Sequence, residues 1–187
     1  MSDSAADLFF DPAAERARFQ ARQAFLARQA ALRLELAEGI SFQPETAESV
    51  EDQVAETLWA EGMTLGSAPA EDLAEARASF SVLAPRREAG GSSVAATLML
   101  GFPDEVRDRR LAALHTFPDQ LSLELADGSL VAPSVDRGAA GPEDRLPSVL
   151  ALRYLIPDGR TVAALVSNHA GLPGRWPAPA AWTSWPS

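Results

Sequence analysis

Apolar residues dominate two adjoining stretches near the C-terminal end of the chain, which flank Pro157-Asp158-Gly159-Arg160. Proline presets the backbone for a turn, aspartate tolerates turn geometry and glycine accepts a positive φ, so this tetrapeptide predicts a hairpin turn. The stretch before the turn, residues 149–156, is apolar on both of its faces, which is too apolar for an edge strand. The pattern therefore predicts a central hairpin over residues 148–169 that helices cover.

The periodicity of the remaining chain predicts about four helices and several further strands. The predicted helices cover residues 12–30, 46–61, 71–80 and a segment opening at Pro103. The other predicted strands cover residues 32–36, 40–42, 94–101, 120–125 and 130–131. Stretches rich in Gly, Ser, Pro or charge predict irregular connections at 63–70, 89–93 and 133–147. Short turns between successive strands force antiparallel pairing. The predicted fold class is α+β, a mostly antiparallel sheet of about six to seven strands with about four helices packed on it.

The length of 187 residues is typical of one domain. Residues 1–10 predict a flexible leader, residues 11–174 a single α+β domain, and residues 175–187 a tail rich in proline and tryptophan. Large rings are costly to leave in water, so aromatic residues in such a tail either pack back onto their own or a sister subunit or anchor a partner. The candidate partner-binding residues are Trp176, Trp182 and Trp185.

Composition and charge narrow the classes of function. No apolar run approaches the roughly 18 residues of a membrane span, and the N-terminal residues lack the order of a signal peptide, so we expect a cytoplasmic chain with no membrane partner. The chain holds no Cys and its 16 basic residues are all Arg, which excludes thiolate sites and lysine chemistry here. A net charge of −10 repels phosphate backbones and argues against a nucleic-acid partner.

Three residues are candidates for metal binding. His169 ends a predicted strand, where an imidazole suits a metal ligand or a general base, although a loop histidine can also serve only to bond the backbone. Gln53 and Glu56 lie three residues apart on a predicted helix, which places an amide beside a carboxylate. Acidic residues early in a helix are also expected from the helix dipole. If these residues bind a cofactor, we expect a divalent metal such as iron, manganese or zinc. No nucleophile motif is present. Because a metal-dependent reaction needs no such motif, the sequence leaves enzyme activity open.

Six segments occur in one order between about Arg28 and Gly174: Gln29–Phe42, Gln53-Val54-Ala55-Glu56, Phe80–Pro85, Ala96–Met99 with Pro103-Asp104, Leu152-Arg153-Tyr154, and Asn168-His169-Ala170. Corresponding segments occur in the same order in a family of uncharacterised bacterial proteins catalogued as domain of unknown function 3501, which the chain therefore resembles. Genes of that family often lie near rubrerythrin-like and iron–sulfur oxidoreductase genes, so the resemblance implies work beside redox-metal proteins.

The chain departs from that family at three polar positions. Gly101 stands where the family tends to have an acid, Leu150 or Ala151 where it tends to have His, and Asn168 where it has Asp. The resemblance therefore implies a divergent member that has lost half of any family site. The preferred hypothesis is a non-catalytic accessory or scaffold protein that acts through protein contacts or self-association, as an oligomer. The alternative is a metal-dependent enzyme or metal-handling protein that uses a carboxylate/His site.

Overall fold

The computed structural model describes residues 12–136 and 145–185. Its α-helices are α1 (Pro12–Leu32), α2 (Ala47–Ala60), α3 (Ala70–Ser79) and α4 (Asp104–Ala113), with short 3-10 helices at Pro118–Gln120 and Ala180–Ser184. Its strands are β1 (Leu34–Ala37), β2 (Ile40–Pro44), β3 (Arg86–Glu88), β4 (Gly91–Leu100), β5 (Leu121–Leu125), β6 (Leu130–Val131), β7 (Ser134–Asp136), β8 (Val149–Pro157), β9 (Val162–Ser167) and β10 (Gly174–Pro177). Every strand pair is antiparallel, which confirms the predicted α+β class.

The chain divides into two compact units, residues 1–31 and residues 32–187. In the first unit, the Arg22 guanidinium lies 6.0 Å from the centre of the Phe25 ring. The second unit contains every strand of the described chain and extends through the predicted tail. The predicted leader, residues 1–10, lies outside the described residues.

The strands of the second unit form two sheets around one core. The first sheet has the order β1-β2-β4-β8-β7, with β3 alongside β4, and the second has the order β10-β9-β5-β6. Leu98 and Leu152 of the first sheet and Leu123 of the second are fully buried in the same apolar cluster. The sheets therefore face each other across a shared hydrophobic core, and each strand turns alternate side chains away from it.

The predicted hairpin over residues 148–169 is wrong in its pairing. Its turn is present, since Gly159 has φ +70° and the Arg160 amide donates to the Pro157 carbonyl at 3.2 Å. The strands on either side enter different sheets, however: β8 pairs with β4 and β7, and β9 pairs with β5 and β10. The turn residues determine where the chain reverses, whereas the long pairing with β4 determines which strand lies beside β8.

The ends of α2, Ala47–Ala60, agree with the predicted helix over residues 46–61. Thr46 caps α2, and its side chain and that of Ser49 form a reciprocal capping box. Gly62 follows the helix with φ +77°.

The expected connection at 89–93 is instead a tight turn at Gly90, and β4 begins at Gly91. Two further strands, β7 and β10, lie in stretches predicted to be irregular or tail.

In the parts of the chain that the structure describes, no helix combines the length and apolarity needed to cross a membrane.

Candidate functional site

A buried carboxylate lies where β2 leads into α2. Glu45 is 4% exposed and directly precedes the cap residue Thr46. One carboxylate oxygen accepts a hydrogen bond from the Thr97 hydroxyl at 2.5 Å, and the other accepts one from the Ser49 hydroxyl at 2.6 Å. The Gln53 amide nitrogen lies 3.4 Å from the second oxygen. Burying a carboxylate is costly unless donors surround it, and this polar cluster supplies them.

The Glu45 cluster joins three elements of the second unit. Thr97 projects from the face of β4 that points away from the core, because its neighbours Ala96 and Leu98 point into it. Ser49 and Gln53 lie on the first two turns of α2. Glu45 therefore fastens the start of α2 to the outward face of the first sheet. The negative charge also lies at the helix N-terminus, where the helix dipole favours it.

The predicted metal residues lie on two different parts of the fold. Gln53 and Glu56 are on α2, and Gln53 belongs to the Glu45 cluster. His169 follows β9 of the second sheet, where its ring packs edge-on against Phe117 with 5.7 Å between centres. Among the described residues, no three His, Asp or Glu side chains come together in a group that could hold a metal ion. Metal binding by His169, Glu56 and Gln53 stays a prediction.

His169 closes a compact turn after β9. Its Nδ1 accepts a hydrogen bond from the Gly171 amide at 3.1 Å, so the neutral ring carries its proton on Nε2. The His169 amide donates to the Ser167 hydroxyl at 3.1 Å. A Cβ at position 171 would lie 3.2 Å from the imidazole Cε1, so the turn and the ring fit tightly. These contacts give the buried imidazole a structural role in the turn.

Arg153 fastens a second segment to the outward face of the first sheet. Its guanidinium donates to the carbonyls of Val82 and Ala84 and to the Ser93 hydroxyl, the last at 2.9 Å. Partial burial lowers the pKa of Arg153, and the nearby Arg86 lowers it further, whereas Glu88 raises it. The guanidinium nonetheless stays charged, because arginine is not deprotonated in proteins. Arg153 therefore holds the turn that follows α3 against β8.

Residues from four of the six segments that carry the resemblance make the hydrogen bonds described above. Thr97, from Ala96–Met99, and Gln53, from the Gln-x-x-Glu segment, meet at Glu45. Arg153, from Leu152-Arg153-Tyr154, meets the segment Phe80–Pro85. Sequence reasoning missed Glu45 as the centre of the first cluster. The available signal was an acid between a strand-ending proline and a helix cap.

The three tail tryptophans pack within the second unit, against its hydrophobic core. Trp182 and Trp185 are buried, and Trp176 is half-buried. Each indole N–H donates to a backbone carbonyl, from Trp182 to Leu32 at 2.6 Å, from Trp185 to Glu45 at 3.1 Å, and from Trp176 to Leu36 at 3.2 Å. Of the two alternatives, the structure thus has the tail on its own chain. Partner binding by these tryptophans stays a prediction.

Strand β8 exposes apolar side chains on its outward face. Its outward positions are Val149, Ala151, Arg153, Leu155 and Pro157, which we call the β8 row. Val149 is 60% exposed and Leu155 is 45% exposed, whereas the intervening inward residues are buried. β8 pairs with β4 from Val149 to Pro157 on one side, and with the three residues of β7 at Ala151–Arg153 on the other. A solvated sheet face normally carries polar residues, and in this row the charged Arg153 lies between the exposed Val149 and Leu155.

Comparisons with known proteins place the chain among proteins without an assigned activity. A family profile described as "Protein of unknown function (DUF3501)" matches residues 4–171. The fold is similar to a crystal structure of a novel protein of unknown function from Burkholderia pseudomallei K96243, with 19% identity and a TM-score of 0.71. That alignment covers 99% of this chain and 97% of the other. No curated protein matches the chain.

Proposed function

Since this chain belongs to the family described as protein of unknown function DUF3501, we propose that it is a cytoplasmic, non-catalytic accessory protein that acts through protein contacts. The single observation that supports this function best is the β8 row. Its two most exposed members, Val149 and Leu155, are large apolar residues, and both are paired with β4 on one side. A protein partner that covers them would remove apolar surface from water.

The free energy gained by burying the exposed side chains of the β8 row favours a protein contact. Full burial of one Val or Leu side chain contributes about 1.5–3 kcal/mol relative to exposure. Because Val149 is 60% and Leu155 is 45% exposed, covering the exposed part of both would contribute about 1.5–3 kcal/mol in total. Across the strand, Met99 lies opposite Val149 and is itself partly exposed, so the apolar surface continues onto β4.

The β8 row is also rigid, which favours recognition. Pairing with β4 extends from Gly91 opposite Pro157 to Met99 opposite Val149. The one charge in the row, Arg153, is engaged by carbonyls of the turn after α3 and by Ser93. The surface is therefore preformed, and binding a partner costs this chain little conformational entropy. An apolar partner surface fits it, and no acidic partner group is required.

The resemblance implies work beside redox-metal proteins, and we propose that class as the first partners to test. Self-association through the same row is the other protein contact that the proposal includes. Both occupants cover the same residues, so the same substitutions should disrupt them.

The test compares the double variant Val149→Ser/Leu155→Ser with a matched control, Leu130→Ser. Leu130 is 55% exposed on β6 of the other sheet, so it offers the same kind of apolar surface elsewhere. We expect wild type and control to bind the same partner, or to self-associate, and the double variant to lose at least tenfold in affinity. Circular dichroism checks that all three are folded. Equal binding by all three, or by none, rejects the proposal.

A further inference from the structure

We propose that helices α2 and α3 form a hinged cover on the outward face of the first sheet, with Glu45 as its hinge and Arg153 as its latch. We call residues 46–85 the cover, since they contain both helices and the turn that follows α3. The inference goes beyond the function proposed above, and it does not depend on whether a partner binds the β8 row.

The cover has a small apolar core of its own. The buried members of this core are Val54, Leu58 and Ala76, and the side chains packed against them also lie between residues 63 and 80. None of these residues belongs to the large core that the two sheets share. The two helices can therefore leave the sheet without opening the main core, as a local unit of structure does in partial unfolding.

The contacts of α3 are mainly with α2. Among the ten residues of α3, the buried one is Ala76. On its exposed side, the Arg77 guanidinium makes a forked contact with the Glu51 carboxylate of α2, with both nitrogen–oxygen distances at 3.1 Å. A helix this short is marginal without packing, so α3 depends on α2 for its stability. The two helices are thus expected to move or unfold together.

Two polar attachments hold the cover on the sheet, one at each end. At its start, the buried Glu45 carboxylate accepts hydrogen bonds from the Ser49 hydroxyl of α2 and the Thr97 hydroxyl of β4. At its end, the half-buried Arg153 guanidinium donates to two carbonyls of the turn after α3. Water can replace the hydrogen bonds of an accessible group more cheaply than those of a buried carboxylate. The cover therefore opens at Arg153 and stays attached at Glu45.

Ala95 shows which part of the sheet the cover hides. It lies on the outward face of β4, because its two neighbours in the strand point into the core, yet it is fully buried. On the same face, Thr97 meets the Glu45 attachment, and Arg153 lies directly across from Ala95 on β8. The two attachments flank Ala95, so the cover lies over it.

Opening of the cover changes the accessible surface beside the β8 row. In the pairing of β4 with β8, Ala95 is opposite Arg153 and Thr97 is opposite Ala151. When Arg153 releases the turn after α3, the small apolar side chain of Ala95 becomes accessible next to the row. The cover therefore controls how far the outward face of the sheet is exposed.

Thiol labelling tests the cover, because the chain contains no Cys of its own. Ala95→Cys places a thiol under the cover. Ala96→Cys, the matched variant, places one on the core-facing side of the same strand, where the native side chain is equally buried. A buried thiol is inert until it reaches solvent. Urea denaturation followed by circular dichroism gives the extent of global unfolding of each variant, with which its labelling rate is compared.

We expect the thiol at position 95 to be labelled at least about tenfold faster than global unfolding allows, and the thiol at position 96 only through global unfolding. Adding Arg153→Met should speed labelling at position 95 by about a further tenfold, because opening then breaks no guanidinium hydrogen bonds. Adding Arg175→Met instead removes a forked contact with Glu124 on the other sheet. This control should not change labelling at position 95 relative to global unfolding.

Labelling of both thiols only through global unfolding would overturn the proposal, and so would equal acceleration by the two arginine substitutions. Native-state hydrogen exchange of the wild-type chain is a second readout that needs no substitution. The amides of α2 and α3 should exchange together, and before those of β4 and β8. Exchange of these helices only together with the sheets would also overturn the proposal.

Discussion

Glu45 and Thr97 lie 52 residues apart in the sequence and share a hydrogen bond of 2.5 Å. The hydroxyl of β4 donates to a carboxylate that Ser49 also contacts from α2. On its backbone side, Glu45 accepts the indole N–H of Trp185. Glu45 therefore links β4, α2 and the C-terminal residue Trp185. The hydroxyls of Thr97 and Ser49 compensate for the removal of its carboxylate from water.

Replacing the hydroxyl at this link should destabilise the fold. Thr97→Val keeps the shape of the side chain but leaves one oxygen of Glu45 without its donor. Because this donor serves a charged group, we expect a loss of about 2 kcal/mol in the free energy of unfolding. Urea denaturation followed by circular dichroism measures it. The matched control is Thr57→Val, which removes a hydroxyl that donates only to the Gln53 carbonyl of its own helix. The control should lose about 0.5 kcal/mol or less, and equal losses in the two variants would contradict the role of Glu45.

Tyr154 should make stability depend on alkaline pH. Its phenol is fully buried, its hydroxyl donates to the Leu121 carbonyl at 2.8 Å, and burial raises its pKa well above the ordinary value. The folded state therefore keeps a proton that the unfolded state loses near pH 10. Its contribution is complete below that pH and is lost as the pH rises toward the folded pKa. Tyr154 is the one tyrosine in the chain, so tyrosinate absorbance reports on it alone.

The experiment on Tyr154 has two expected results. Tyrosinate should appear only with unfolding, and Tyr154→Phe should remove this part of the alkaline loss. At neutral pH the same variant should cost about 1–2 kcal/mol, because the Leu121 carbonyl loses its donor. Ionisation of the folded protein near pH 10 would contradict the burial of the phenol.

Gly91 should tolerate no side chain. A Cβ at this position would lie 2.2 Å from the Ile156 carbonyl oxygen, so Gly91→Ala must push β4 and β8 apart. We expect a loss of roughly 3 kcal/mol or more in thermal or urea unfolding. Gly66 is the matched control, because nothing lies within 4 Å of its added Cβ. Gly66→Ala should be neutral or stabilising by less than about 1 kcal/mol.

The metal hypothesis makes its own prediction about composition. If His169, Glu56 and Gln53 bind a metal, the purified untagged protein should carry about one iron, manganese or zinc per chain. His169→Ala should remove the metal without unfolding the chain. His115→Ala, which replaces the other of the two histidines in the chain, should retain it. Elemental analysis alongside circular dichroism measures both. A folded wild-type protein that is free of metal and insensitive to chelator would reject this hypothesis.

Local features of the fold were predictable because their causes are local. The capping box of Thr46 and Ser49 and the positive φ of Gly62 follow from residues a few positions apart. The partner of β8 was not predictable in the same way. Its turn signal at Gly159 indicates where the chain reverses, but pairing with β4 depends on residues some sixty positions away, and no local pattern encodes it.

For the candidate sites too, the sequence indicates which residues stand out, whereas the contacts between them depend on the fold. Gln53 stood out as part of a helical pair, but its contact with Glu45 depends on how α2 meets the end of β2. The tail tryptophans left two alternatives open, because their burial depends on whether a groove exists for them. Here the Phe42 ring and the backbone carbonyls of Leu32, Leu36 and Glu45 supply it. The apolar outward face of β8 was visible in the sequence, whereas its exposure follows from which elements cover the sheet.

The function through protein contacts is tested most directly by site-specific photocrosslinking within the cells that produce the protein. A photoreactive side chain is placed at position 155 in the β8 row and, in a separate chain, at position 130 on β6. We predict a discrete adduct of higher mass from position 155 and none from position 130. No adduct from position 155, or the same adducts from both positions, would contradict a contact surface on β8.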